Sequence, residues 1–261
     1  MASISSSTDR KDLVNRVMDI KSEPRHDLPS IKGFENEPLV TLEEAVKPLV
    51  NLVQDVESMV QTVKKKCLTR PPTQLTLDQH GSIMLYTSEW SIREQSLYFI
   101  LNQTLRSPNR NQLKPWFLFL KLFLVALLRL PTTSCHLYRG VKGNLAKEYP
   151  IGSTMTWWGF SSCTKNVQVL GTDSFLGQDG ERTLFTINNA SGTDIREYSY
   201  YPSEDEILLL AARQFHVDSC VQLGHGLQMI QLTEVPRTPP LLADVSQSIE
   251  IGNLLFSFSC D

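Results

Sequence analysis

The sequence predicts an α+β protein in which a helical N-terminal region packs on a split, mixed and antiparallel β core. Three observations carry that prediction. Capped amphipathic patterns fill residues 39–131, and the longest apolar run of the chain lies among them. From residue 132 onward, short apolar runs alternate with Gly, Asn, Asp, Ser and Pro turns. No long helical pattern separates those runs. With 261 residues the chain holds one large domain or two small ones, and either buries a sizeable core.

Residues 1–38 are rich in Ser, Asp, Lys, Arg, Glu and Pro. Periodicity supports only a short helix over Asp12–Ile20, and Pro24 and Pro29 interrupt the chain beyond it, so this part reads as a mobile tail or an arm laid on the surface. Acids at Asp9, Asp12 and Asp19 count against a targeting peptide. Thr41-Leu42-Glu43-Glu44 is a capping box, and Val46, Leu49, Val50, Val53, Val56, Val60 and Val63 continue it as an apolar stripe to Lys66. Pro48 marks a shifted start or a kink. Thr76-Leu77-Asp78-Gln79 opens a second helix, and Ser91–Arg106 predicts a third, stopped by Ser107-Pro108-Asn109. Trp116–Leu130 is apolar all round, shorter than the roughly 20 residues of a bilayer span, and reads as a central core helix.

Strand candidates lie at Cys135–Arg139, Thr154–Phe160, Arg182–Asn188, Asp194–Tyr198, Glu206–Ala211, Gln214–Cys220 and Gln228–Leu232. Ile249–Phe258 is a last strand or an apolar tail. The expected division is therefore a tail at 1–38, a helical subdomain at 39–131, a β-rich core at 132–240 and a C-terminal segment at 241–261.

Charge and motifs exclude several classes. A net charge of −3 gives no polybasic surface for nucleic acid. Five cysteines without CxxC spacing indicate neither a zinc site nor a redox pair. Their odd number and the missing N-terminal apolar segment favour a reducing, cytoplasmic setting, while a trimmed sequence would leave secretion open. The dinucleotide fingerprint GxGxxG, the phosphate loop, the GxSxG elbow and HExxH are all absent, and metal dependence is not indicated. Nothing in the sequence specifies an oligomeric state.

Three short constellations have chemical content. Arg139-Gly140 ends a strand candidate with a five-donor fork beside a residue that lets a ligand approach the backbone; a surface arginine with a turn glycine is the plainer reading. Gly159-Phe160-Ser161-Ser162-Cys163-Thr164 gathers hydroxyls that either orient a ribose or cap a turn. In Tyr198–Leu210, an extended backbone from Glu204 would put Glu204, Glu206, Leu208 and Leu210 on one face. Two carboxylates beside an apolar wall are either a charged edge or a chemical pair.

In that order, arginine, serine and paired glutamates resemble the R-S-E pattern of the arginine-specific mono-ADP-ribosyltransferases, the cholera-toxin-like branch that includes vertebrate ecto-enzymes. Similar blocks extend the resemblance over residues 75–235: Leu85-Tyr86-Thr87, Leu101 to Arg106, Tyr138-Arg139-Gly140, Gly159 to Ser162, Thr183 to Ile187 and Tyr198 to Leu208. The resemblance implies the ADP-ribosyltransferase fold, NAD as substrate without a metal, and an acceptor protein with an exposed arginine. It implies that Arg139 braces the NAD phosphate and ribose, that the Gly140 backbone holds the nicotinamide amide, and that Ser162 stabilises the catalytic Glu206. Thr164 keeps the last hydroxyl of the serine block, Cys163 departs from the commonest middle residue, Phe175 packs on nicotinamide, and Glu204 confers arginine specificity. An NAD glycohydrolase using the same site, or a silent NAD- or protein-binding module, are the alternatives.

Overall fold

Pro48 and Asp55 divide the stretch that reads as one helix. Helix α1, Leu42–Val46, starts on a complete capping box between Thr41 and Glu44. Lys47–Leu49 then tightens into a single 3-10 turn around Pro48, and Asp55 takes a left-handed φ of 56° before α2, Val56–Thr69. The computed structural model describes residues 23–71, 74–170, 176, 179–202 and 205–246. These belong to two units, one of residues 29–132, 197–201 and 240–246, the other of residues 23–28, 133–196 and 202–239.

In the first unit, α2 buries Val56, Val60, Val63 and Cys67. Helix α3, Leu77–Thr87, begins on the second capping box, Thr76 with Gln79. Lys64 Nζ lies 2.7 Å from Glu43 and 2.8 Å from Asp78, tying α1, α2 and α3 together. The predicted helix over Ser91–Arg106 is shorter than expected. Arg93–Gln95 is a 3-10 turn, Ser96 is extended, and α4 covers Leu97–Leu105. Helix α5, Phe117–Leu128, is the core helix, with Phe119 to Leu127 buried and Phe123 stacked on Tyr86 at 4.9 Å. Lys121 sits inside that run because its Nζ donates to the Glu35 carbonyl at 2.6 Å. Arg110–Leu128 has the length and apolarity of a membrane span, yet most of it is buried inside the protein.

Within the expected tail, the described residues include an anchored stretch. Ile31 and Phe34 are fully buried, and Ile31 exchanges backbone bonds with Leu241 and Ala243 at 2.7 and 2.9 Å. Asp12–Ile20 and Ile249–Phe258 lie outside the described residues.

In the second unit, among the described residues, seven strands form one mixed sheet in the order β1-β3-β5-β4-β7-β6-β2. They are β1 (Thr132–Lys142), β2 (Thr154–Trp157), β3 (Ser161–Thr164), β4 (Arg182–Asp194), β5 (Glu206–Leu209), β6 (Arg213–Gly224) and β7 (Leu227–Val235). Strands β4 and β7 run parallel, whereas β3 and β5 are antiparallel neighbours. Leu137, Val141, Trp157, Phe185, Ile187, Ile207, Leu209, Phe215, Ile230 and Leu232 share the core. The expected strand Asp194–Tyr198 is instead a turn after β4, because Asp194 accepts from the Arg196 backbone and binds its guanidinium. The expected strand Thr154–Phe160 stops at Trp157, and Ser161–Thr164 forms a separate strand.

His80 gives the helical unit an acid sensitivity. It is fully buried on α3, edge-on to Tyr198 at 5.3 Å, and neither ring nitrogen has a hydrogen-bond partner among the described residues. Burial, helped by the Arg70 charge, holds its pKa down at about 4, below the usual 6.5. A depressed folded pKa means that stability is complete above the unfolded value and is lost as pH falls through the folded one. Urea unfolding should therefore show a loss of roughly 2–3 kcal/mol between pH 7.5 and 4.5 from this group. His80→Phe should flatten that part of the profile; an unchanged slope would assign the sensitivity elsewhere.

Candidate active site

Strands β1, β3 and β5 are consecutive in the sheet and carry Arg139, Ser162 and Glu206. The register explains how they meet. Thr164 pairs directly with Glu206 and Ser162 with Leu208, so Ser162 is the diagonal neighbour of Glu206. The Ser162 hydroxyl donates to Glu206 Oε1 at 2.5 Å. Arg139 Nη1 donates to the Ser162 carbonyl at 2.6 Å. Ser162 is thus the hub, holding the arginine through its backbone and the carboxylate through its side chain. Arg139 is 1% exposed and Glu206 3%, so both charges sit where water screens them poorly.

Thr164 is buried opposite Glu206, and its hydroxyl accepts from the Asn166 backbone at 3.1 Å in the turn that leads into the short helix α6, Val167–Leu170. Gly140 is buried beneath Leu176. A Cβ at Gly140 would stand 2.8 Å from Leu176 Cδ1, so the close approach needs a glycine or a shift of that side chain. Cys163 pairs with Ile207 and faces the core. Burial pushes its thiol up to about 12, with Arg139 opposing and Glu206 reinforcing the shift, so it is a packing residue and not a thiolate nucleophile. Glu204 and Phe175 lie outside the described residues.

The extended backbone expected from Glu204 to Leu210 does not hold at its start. Asp205 has φ 49°, and β5 begins only at Glu206, so strand alternation cannot be read back through Asp205 to Glu204. Asp205 is instead fastened by Arg196, whose Nη1 lies 3.1 Å from Asp205 Oδ1 while Nη2 lies 2.6 Å from Asp194 Oδ2. The Ile195 N–H donates to the Glu206 carbonyl at 3.2 Å. This clamp closes the base of the loop between β4 and β5. Sequence patterns do not reveal it, because Asp205 lies nine residues from Arg196 in a non-repeating segment. Trp157 fills the core, and its ring centroid is also 6.0 Å from the Arg139 guanidinium carbon. Among the described residues no group of three His, Cys, Asp or Glu side chains is arranged to hold a metal ion.

A buried arginine and glutamate joined through a half-buried serine on adjacent strands form a cation-to-carboxylate relay suited to an anionic substrate that develops positive charge as it reacts. An erythroblast NAD(P)(+)--arginine ADP-ribosyltransferase of Gallus gallus is 27% identical over 170 residues, 62% of this chain and 52% of that protein. A GPI-linked NAD(P)(+)--arginine ADP-ribosyltransferase 1 of Mus musculus is 34% identical over 96 residues, 36% of this chain and 27% of that protein. The chain thus spans about half the length of the first and about a quarter of the second. The crystal structure of the eukaryotic mono-ADP-ribosyltransferase ART2.2 shares the fold, with a TM-score of 0.51 and 17% identity over 81% of this chain and 97% of that one. The family description that matches is NAD:arginine ADP-ribosyltransferase, and because the match runs over residues 39–239, the chain belongs to that family.

Proposed function

We propose that this protein transfers ADP-ribose from NAD to the guanidinium of an arginine on an acceptor protein and releases nicotinamide. The observation that carries the reading is the relay of Arg139, Ser162 and Glu206, with Oγ of Ser162 held on the carboxylate at 2.5 Å. The bond between ribose C1′ and the nicotinamide nitrogen breaks, and its electron pair leaves with nicotinamide. Positive charge then grows on the ribose, and Glu206, accepting from the 2′-hydroxyl, stabilises that oxocarbenium-like state. Ser162 keeps the carboxylate pointed, and Arg139 meets the substrate's phosphate and ribose with its fork of donors. The Gly140 backbone and Phe175 receive the nicotinamide, and Thr164 supports the strand opposite Glu206.

A guanidino nitrogen of the acceptor completes the exchange by bonding to C1′. Free guanidinium is protonated, so its proton leaves as the bond forms, and Glu204 is the acceptor for it. NAD is consumed as a substrate, and none of these steps calls on a metal. Mass spectrometry of the protein incubated with NAD and agmatine should find ADP-ribosyl-agmatine and nicotinamide in equal amounts. Free ADP-ribose alone would move the assignment to an NAD glycohydrolase. Undiminished NAD would overturn both and leave a binding module.

A further inference from the structure

We propose that Trp157 and Tyr149 are positioning residues that hold Arg139 in its working orientation, an inference that deepens the function proposed for this site. A long guanidinium side chain loses much rotamer freedom on being fixed, so something rigid has to meet each side of it. The Ser162 carbonyl meets one edge at 2.6 Å. The Trp157 ring lies toward the guanidinium carbon at 6.0 Å, within the range of a cation–aromatic contact. An aromatic surface attracts a cation without neutralising it, so the guanidinium keeps its charge for a phosphate-bearing substrate. A carboxylate in the same place would cancel it.

The indole is itself held. Trp157 is 1% exposed, and its Nε1–H donates to the Tyr149 hydroxyl at 3.0 Å. Its ring lies 4.7 Å from Phe215 and is edge-on to Phe185 at 5.5 Å. Tyr149 is 2% exposed and also edge-on to Phe185, at 4.9 Å. Packing alone would confine the indole, but only the bond to Tyr149 selects which edge points inward, since the reverse rotamer buries an unsatisfied N–H. A continuous line of contacts therefore runs from Tyr149 through Trp157 and Arg139 to Ser162 and Glu206. Trp157 lies on β2 and Tyr149 in the turn before it, and neither is adjacent to Arg139 in sequence.

The test uses Tyr149→Phe, Trp157→Phe, the pair combined, and Trp157→Leu, each checked for folding by circular dichroism. Trp157→Leu should raise the KM for NAD about tenfold with a smaller change in kcat, while Trp157→Phe, which keeps a π face, should stay within about threefold of wild type. Tyr149→Phe should cost about threefold in kcat/KM in the wild type and clearly less in the Trp157→Phe background, where no indole N–H remains to be oriented. A merely structural tyrosine would cost the same in both backgrounds, and that result overturns the proposal. So does an unchanged KM for NAD in a folded Trp157→Leu. If Trp157→Leu does not fold, the cycle between Tyr149→Phe and Trp157→Phe still decides. The Arg139 Nε–H resonance supplies a readout independent of turnover: its ring-current shift should be lost in Trp157→Leu and disturbed in Tyr149→Phe. Wild-type protein that leaves NAD intact but shows this shift would overturn the assigned reaction and retain the bracing; turnover without the shift would do the reverse.

Discussion

Glu206→Gln should lower the rate of nicotinamide release by about a thousandfold while leaving the melting temperature within a few degrees of wild type. Glutamine has the same shape and keeps an oxygen that accepts from the Ser162 hydroxyl, so the 2.5 Å contact and the β3–β5 register survive. What disappears is the negative charge at a site 3% exposed, where a carboxylate stabilises a growing cation far more than it would in water. Chromatography of nicotinamide at saturating NAD, set beside a thermal melt, reads both halves. A variant that retains most of its turnover would remove Glu206 from the chemistry. One that unfolds would make it a structural residue first.

How much of this was legible depended on how local each feature is. Both capping boxes, Thr41 with Glu44 and Thr76 with Gln79, are written within four residues, and both form. The apolarity of Trp116–Leu130 alone predicts a buried helix, and Phe119 to Leu127 are buried. By contrast, Ser161–Thr164 has three hydroxyl residues and no alternation, and it is a strand only because β1 and β5 flank it. Asp194–Tyr198 looks extended until Arg196 is seen gripping Asp194 and Asp205. The site shows the same limit. Resemblance identifies Arg139, Ser162 and Glu206, but their adjacency is a product of strand order, which no window of sequence contains. Nor does any pattern connect Tyr149 with Trp157, whose link depends on the turn between Lys142 and Thr154.

Gly192→Val is expected to inactivate the protein without altering any residue of the relay. Gly192 lies on β4 opposite Leu209 of β5, the strand that begins with Glu206. A Cβ there would collide with Ile207 Cγ2 and stand 3.3 Å from Leu137 Cδ1 and 3.4 Å from Leu209 Cδ2, so three side chains of a close-packed core have already filled the space. Valine adds two further methyls to that contact, for a loss of stability of roughly 1–3 kcal/mol or more. Strain of this kind is relieved by moving β5 away from β4, and β5 carries Glu206 against Ser162. Turnover should therefore fall further than stability does, measured as kcat/KM for NAD at a temperature where the variant is folded. Gly192→Ala should show the same effects in weaker form. Combining it with Ile207→Leu, which removes the offending Cγ2 at nearly constant volume, should recover much of both. If the double variant is no better than Gly192→Ala alone, the collision with Ile207 is not what couples this glycine to the site.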